Sequence, residues 1–186
     1  MIHEVMGAIQ AELNKFLKSK HNITEDKVLL SNLVNIDGTL AIQETDKIIM
    51  TLGNIEQERS KSTTGTYEQT EKGGFIKVNA PVNINIMIMF SAYFTTENYM
   101  EGLKFISSTI AFFQSRNGVF DPQNTPALNN VIDKVTAELL PMEFRDMSNV
   151  WSVLGSKYLP SVLYRLKTLP IQHKMNTPVI PYIKNT

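Results

Sequence analysis

The sequence has 186 residues, eighteen basic and eighteen acidic side chains, a formal net charge of zero and no cysteine. That length suits one domain of ordinary size. The even charge leaves no basic cluster to neutralise phosphates, and the missing thiols exclude disulfides, thiolate catalysis and cysteine metal sites. Only 19% of the residues are charged, so Asn, Gln, Ser and Thr must carry much of the surface, as expected where partners cover it. A chain near neutrality also lacks the self-repulsion that opposes self-association.

The first segment predicts an amphipathic helix. Ile2, Val5, Met6, Ile9, Leu13, Phe16 and Leu17 recur at helical spacing, with Glu4, Gln10, Glu12, Lys15 and Lys18 opposite and Asn22 as the end point. Strands are expected next. Val28 to Val34 is a short apolar run closed by the turn pair Asp37-Gly38. Lys47 to Glu58 alternates through Ile48, Met50 and Leu52 and then shifts phase to Ile55, which predicts a β-bulge at Gly53-Asn54.

From Arg59 to Ala80 the pattern collapses into Ser, Thr, Gly, Glu and Lys. A stretch this long, flanked by strands, reads as a projecting hairpin arm. Val82 to Phe94 is the clearest strand. Its even positions, from Val82 through Ile84, Ile86, Ile88, Phe90 and Ala92 to Phe94, form a core face. Its odd positions begin polar at Asn83 and Asn85 and turn richer in Met toward Met87 and Met89, so that face is expected to be half covered.

A second helix is expected from Glu97 to Ser115, capped by Thr95 or Thr96 and stopped by Asn117-Gly118. Asp121 to Pro126 reads as a turn-rich connector. The segment after it is ambiguous between helix and strand, and the alternation of Val135, Ala137 and Leu139 favours a strand over Asp133 to Leu140. Glu143 to Leu154 fits a third helix through Phe144, Met147, Val150, Trp151 and Leu154, with Gly155 as its stop. Pro160 to Leu169 returns to strand. Pro170, Pro178 and Pro181 then exclude a regular helix, and the apolar run Val179-Ile180-Pro181-Tyr182-Ile183 predicts a sticky extended tail. The expected fold class is α+β, a largely antiparallel sheet with about three packed helices. The expected division is a domain over 1–170, its arm at 59–80, and a tail over 171–186.

Catalytic and ligand patterns are missing from the sequence. His3, His21 and His173 lie in three separate segments without metal-ligand spacing and read as solvated surface residues. Gly73-Gly74 leads into a strand, not a helix, and no phosphate-loop or nucleophile-elbow motif occurs. Glu56 and Glu58 share a strand face but read as solvated charges at a hairpin base, and Trp151 reads as core. The expectation is no catalytic residue, no cofactor, no metal and no nucleic acid. The start Met1-Ile2-His3-Glu4-Val5 lacks a secretory pattern, and no apolar run is long enough to span a bilayer, so the expected site of synthesis and assembly is the cytosol. The sequon Asn22-Ile23-Thr24 has no role there.

Four stretches carry a family resemblance: Met1 to Phe16, Asn54-Ile55-Glu56-Gln57-Glu58-Arg59, Asn124-Thr125-Pro126-Ala127-Leu128, and Trp151 to Tyr164. Together they resemble the tail-terminator or cap proteins of phage-tail-like contractile injection systems, the group that includes the antifeeding prophage and related virulence cassettes. The resemblance implies a tail-terminator-like fold and a structural, non-enzymatic subunit of a homo-hexameric ring. That ring would sit on the last ring of the inner tube, contact the sheath protein and stop both polymers at the end of the particle. Larger members of the group carry sequence beyond the matching region. An extended segment can add a strand to a neighbour's sheet edge, which makes Arg59, Tyr67 and Phe75 on the arm, and Val179, Ile180, Tyr182 and Ile183 on the tail, the candidate assembly contacts. A tube or sheath component, which would polymerise alone, and a small cytosolic enzyme are the alternatives.

Overall fold

A computed structural model describes residues 1–58, 66–69, 75–78 and 82–171. Helix α1 (Ile2–His21) buries Val5, Met6, Ala8, Ile9, Leu13, Asn14 and Leu17 along one stripe. It ends where Asn22 adopts a left-handed conformation (φ 51°) and returns its N–H to the Lys18 carbonyl. Lys18, Lys20 and His21 fill the last turn, where the helix dipole favours positive charge.

The main sheet has six strands in the order β1-β2-β5-β8-β7-β6. They are β1 (Val28–Leu30), β2 (Lys47–Gln57), β5 (Val82–Tyr93), β6 (Val119–Phe120), β7 (Val135–Leu140) and β8 (Ser161–Ile171). Between β2 and β5 a separate antiparallel hairpin forms from β3 (Thr66–Gln69) and β4 (Phe75–Val78), within the stretch read as an arm. Every pair in the main sheet is antiparallel except β1 with β2, which run parallel. The β2–β5 register slips between Leu52 and Asn54, so the phase change in the sequence is the predicted bulge.

Strand β5 sits at the centre and its two faces meet different layers. Ile84, Ile86, Ile88, Phe90 and Ala92 pack with α1 and α2 (Tyr99–Ser115) in the main core. There Phe90 meets Phe113 edge-on at 5.5 Å, and Tyr164 of β8 stacks on the same Phe113 at 3.9 Å. Burial alone raises the Tyr164 hydroxyl above its ordinary pKa. On the other face Met89 joins Ile49, Leu163 and Trp151 of helix α3 (Phe144–Val153), with Leu33 and Ile42 from the 31–46 excursion. The three helices therefore divide two and one across the sheet. The odd face of β5 is covered more fully than its composition suggested: Met89 and Ser91 are both buried.

Several local expectations are corrected. The strand read from Val28 to Val34 stops at Leu30, because the chain turns out of the sheet after Ser31 donates its N–H to the Met50 carbonyl (3.2 Å). Beyond it an isolated bridge, Val34 to Leu40, flanks the Asp37-Gly38 turn, where the Asn35 N–H donates to the Thr39 carbonyl (2.8 Å). Neither Thr95 nor Thr96 caps α2. Its N-cap is Asn98, and the Asp46 carboxylate accepts the Thr95 N–H (3.1 Å) and the Asn98 side-chain amide (2.8 Å) from 49 and 52 residues upstream. His21 is half-buried, not solvated: its Nε2 lies 2.9 Å from Ser108 Oγ and its ring meets Phe105 edge-on. Phe144, placed on the buried stripe of α3 by spacing, is 86% exposed at the helix start. The connector after Phe120 holds a short 3-10 turn (Pro126–Leu128) that buries Leu128 in the main core.

Candidate assembly surface

The residues singled out as assembly contacts distribute unevenly. Tyr67 lies on β3 and Phe75 on β4, and in the register of that hairpin Gln69 faces Phe75 and Tyr67 faces Lys77. Arg59, Val179, Ile180, Tyr182 and Ile183 lie outside the described residues. What the described residues do offer is exposed apolar surface at the arm end of the sheet, which the sequence did not single out.

Strand β2 outruns its parallel neighbour. Strand β1 pairs only Val28–Leu30 with Ile48–Met50, and Thr51 Oγ1 donates to the Ser31 carbonyl (2.8 Å) as the last link. From Leu52 to Gln57 no strand flanks the outer side of β2 among the described residues. An uncovered edge of this kind presents backbone donors and acceptors to any extended segment that arrives. At the same end Ile55, Val82 and Ile171 are 48%, 44% and 41% exposed. Val82 faces Ile171 and Ile55 faces Ile86 in register, so all three lie on the face covered by α1 and α2, at the end where those helices leave them bare.

On the opposite face, an apolar groove of about 330 Å³ runs between α3 and the sheet. Met87, Met89 and Leu163 line its sheet side, Val150, Val153 and Leu154 its helix side, and Asn54 and Asn149 supply the polar rim. The bulge residue Gly53 opens one side of it, since a residue without a side chain stands where the register slips. Val153 is 83% exposed, a large apolar group on a helix left bare. Nothing in this groove is chemically reactive. No group of three or more His, Asp or Glu that could hold a metal occurs among the described residues, and no helix among them is long and apolar enough to cross a membrane. A surface of bare strand edge, methionines and branched aliphatics is fitted to bind chains.

The model of one protein family, the Pvc16 N-terminal domain, matches residues 4–185. The chain belongs to that family. No curated protein matches it in sequence. Among solved structures, the chain is similar to the sheath/tube terminator, in its extended state, of an extracellular contractile injection system called PVC, with a TM-score of 0.70 and 14% identity. That likeness covers 100% of this chain and 61% of the other. It is also similar to the tube-terminating cap of the anti-feeding prophage, with a TM-score of 0.55 and 16% identity over 94% of this chain and 57% of that one. At such identities the likeness establishes a shared fold, and the α+β terminator-like architecture expected from sequence is the one found. This member of the Pvc16 N-terminal domain family thus spans about three-fifths of the length of both neighbours.

Proposed function

We propose that this chain is the terminator subunit of a contractile injection system, a non-enzymatic protein that assembles in the cytosol as a homo-hexameric ring. The ring caps the inner tube, engages the last sheath ring and remains at the end of the particle. The observation that carries this reading is a likeness to the PVC sheath/tube terminator that extends over the whole of this chain. The family match supports it, as does a described surface whose notable features are an open strand edge and an apolar groove. A cap must match the growth face of a stacked polymer without reproducing it, and a heterologous contact that closes into a ring meets that requirement. The arm at 59–80, with Arg59, Tyr67 and Phe75, is the element we assign to contacts outside the subunit.

The test is the solution mass by light scattering, alone and with the tube protein, together with tube lengths by electron microscopy. Six copies of a 21.0 kDa chain form a ring of about 126 kDa. A ring of that mass, free or formed on the tube, with tubes ending at it, is the expected result. Open polymers of the chain alone would indicate a tube or sheath component instead, and a monomer indifferent to the tube would overturn the reading.

A further inference from the structure

We propose that the groove between α3 and the sheet, with the bare outer edge of β2 beside it, is the seat of the apolar segment Val179–Ile183 of the same chain. The seat belongs to the isolated subunit and holds whether or not that subunit caps a tube. The first argument is chemical. The groove is lined by Met87, Met89, Val150, Val153, Leu154 and Leu163, and burying such side chains requires an apolar occupant. Outside the described residues the chain contains one run of that character, Val179-Ile180-Pro181-Tyr182-Ile183. The parts of the arm outside them, such as Arg59-Ser60-Lys61-Ser62-Thr63-Thr64-Gly65, are polar.

Reach is the second argument. The last residue of β8, Ile171, stands opposite Val82 at the arm end of β5. Met87 lies farther along the same strand, so the groove begins about 17 Å from that point, with an offset of about 5 Å for each strand crossed. The intervening residues 172–178 span up to about 23 Å when extended. The run therefore arrives at the groove with little slack.

The third argument is conformational. Pro178 and Pro181 exclude a helix and leave an extended segment. In a strand laid along β2, Ile180 and Tyr182 would turn their N–H groups to the open edge from Leu52 to Gln57. Pro181, which has no N–H, would turn away from it, the position in which an edge strand tolerates proline. Such a strand would also cover an edge that is otherwise a template for unwanted pairing. The family model extends to residue 185, so the run lies within the matched stretch of sequence.

Because the chain has no cysteine, engineered thiol pairs report proximity without background. The full chain carrying Val153→Cys with Ile180→Cys is oxidised in dilute solution beside a control carrying Met100→Cys with Ile180→Cys. Val153 and Met100 are both well exposed, on helices that cover opposite faces of the sheet, so neither change disturbs the core. Gel mobility and peptide mass spectrometry read the products. The expected result is an intrachain disulfide at Val153→Cys that forms roughly tenfold faster than in the control, as tethering at a fixed seat raises effective concentration. Equal rates, or no disulfide in either pair, would overturn the proposal. So would a disulfide joining two copies, which would assign the segment to a neighbour. All of these outcomes leave the tube-capping assay untouched, so a failure here is distinguishable from a failure of the terminator reading.

Discussion

The side-chain amide of Asn14 pairs with the backbone of Val28 as a further strand would, accepting the Val28 N–H at 2.8 Å and donating to the Val28 carbonyl at 3.0 Å. Its oxygen also takes the Lys27 N–H at 2.9 Å. One buried helix residue thus closes the outer side of β1, which lies at the edge of the sheet. A buried amide or carbonyl left without a partner costs about 1–3 kcal/mol. Asn14→Ala orphans two N–H groups, while the Val28 carbonyl keeps its bond from Gln10 Nε2 (3.0 Å). Urea denaturation should show a loss of about 2–4 kcal/mol for Asn14→Ala and about 1 kcal/mol or less for Gln10→Ala. Equal effects would mean that the edge is sealed by something other than this amide.

Two glycines with nearly the same backbone angle should respond differently to alanine. Gly118 (φ +65°) and Gly155 (φ +67°) both stop helices in the left-handed region. A Cβ at Gly118 would stand 2.3 Å from the Ala137 carbonyl oxygen, which is backbone and cannot yield, whereas one at Gly155 would meet nothing within 4 Å. The approach at Gly118 is what lets Ala137 donate its N–H to the Gly118 carbonyl at 2.6 Å, joining β7 to the end of α2. Gly155→Ala should cost the conformational penalty of about 1–2 kcal/mol, and Gly118→Ala clearly more, about 3 kcal/mol or above. Chemical denaturation of both variants under one set of conditions decides it.

Beneath α3 three buried polar atoms have no hydrogen-bond partner among the described residues: Ser91 Oγ, Ser161 Oγ and Trp151 Nε1. Ser91 and Ser161 face each other across β5 and β8, and the Ser91 residue is fully buried. A hydroxyl that is desolvated without a bond contributes nothing to hold the fold. Ser91→Ala should therefore be neutral or stabilising by up to about 1 kcal/mol, unlike most core substitutions. A loss above that in thermal or urea unfolding would show that this hydroxyl has a partner.

What the sequence made legible follows from how local its cause is. The bulge at Gly53-Asn54 shows as a phase change within one strand, and the stop of α1 at Asn22 and the two faces of β5 are equally local. Pairing partners are not local: nothing between Val28 and Leu30 announces a parallel neighbour, nor does Asp46 announce that it holds the start of α2. The exposure of Phe144 was hidden for a related reason, since spacing places a side chain on a stripe without saying where the supporting layer ends. The groove escaped notice because it needs Gly53, Met87, Val153 and Leu163 together, from β2, β5, α3 and β8. Polar composition and its flanking strands set the 59–80 stretch apart, and paired backbone of β3 and β4 lies within it.

Acid should destabilise the protein in two stages. Burial holds the His21 imidazole below its ordinary value of 6.5, and the neighbouring Lys104 and Lys20 push the same way against a weaker opposing pull from Glu101. The unfolded chain therefore takes up the His21 proton at a higher pH than the folded one. This contribution is fully favourable above pH 6.5 and is lost as pH falls through 6.5 toward the depressed folded value. Glu25, held low first by its hydrogen bond to Lys27, and Glu138, held low by Lys167, add a second loss as pH falls through 4.5 and below. Urea midpoints measured from pH 8 to 3 should stay level down to about 7, decline, and then decline again. His21→Gln should remove the first decline and keep the second. A first decline unchanged in that variant would assign it to another group.

The arm should be dispensable for folding and needed for assembly. Strands β2 and β5 pair continuously to Gln57 and Ile84, and the Glu58 N–H still reaches the Asn83 carbonyl at 2.8 Å. The two strands can therefore be joined at that point by a short hairpin turn such as Asn-Gly. Replacing residues 60–81 by that turn keeps the Gln57–Ile84 register and shortens the closed loop about tenfold, which favours folding by about 1–2 kcal/mol if the arm itself contributes little. The apolar groups at its base, Ile55, Val82 and Ile171, stay where they are, so the bare end of the sheet is unchanged. We expect an equal or higher unfolding midpoint for this variant, with loss of the ring mass and of tube-length control in a mixture with tube protein. A variant that still forms rings and ends tubes would transfer the contact from the arm to the sheet end. One that no longer folds would mean that the hairpin of β3 and β4 belongs to the core unit and not to its periphery.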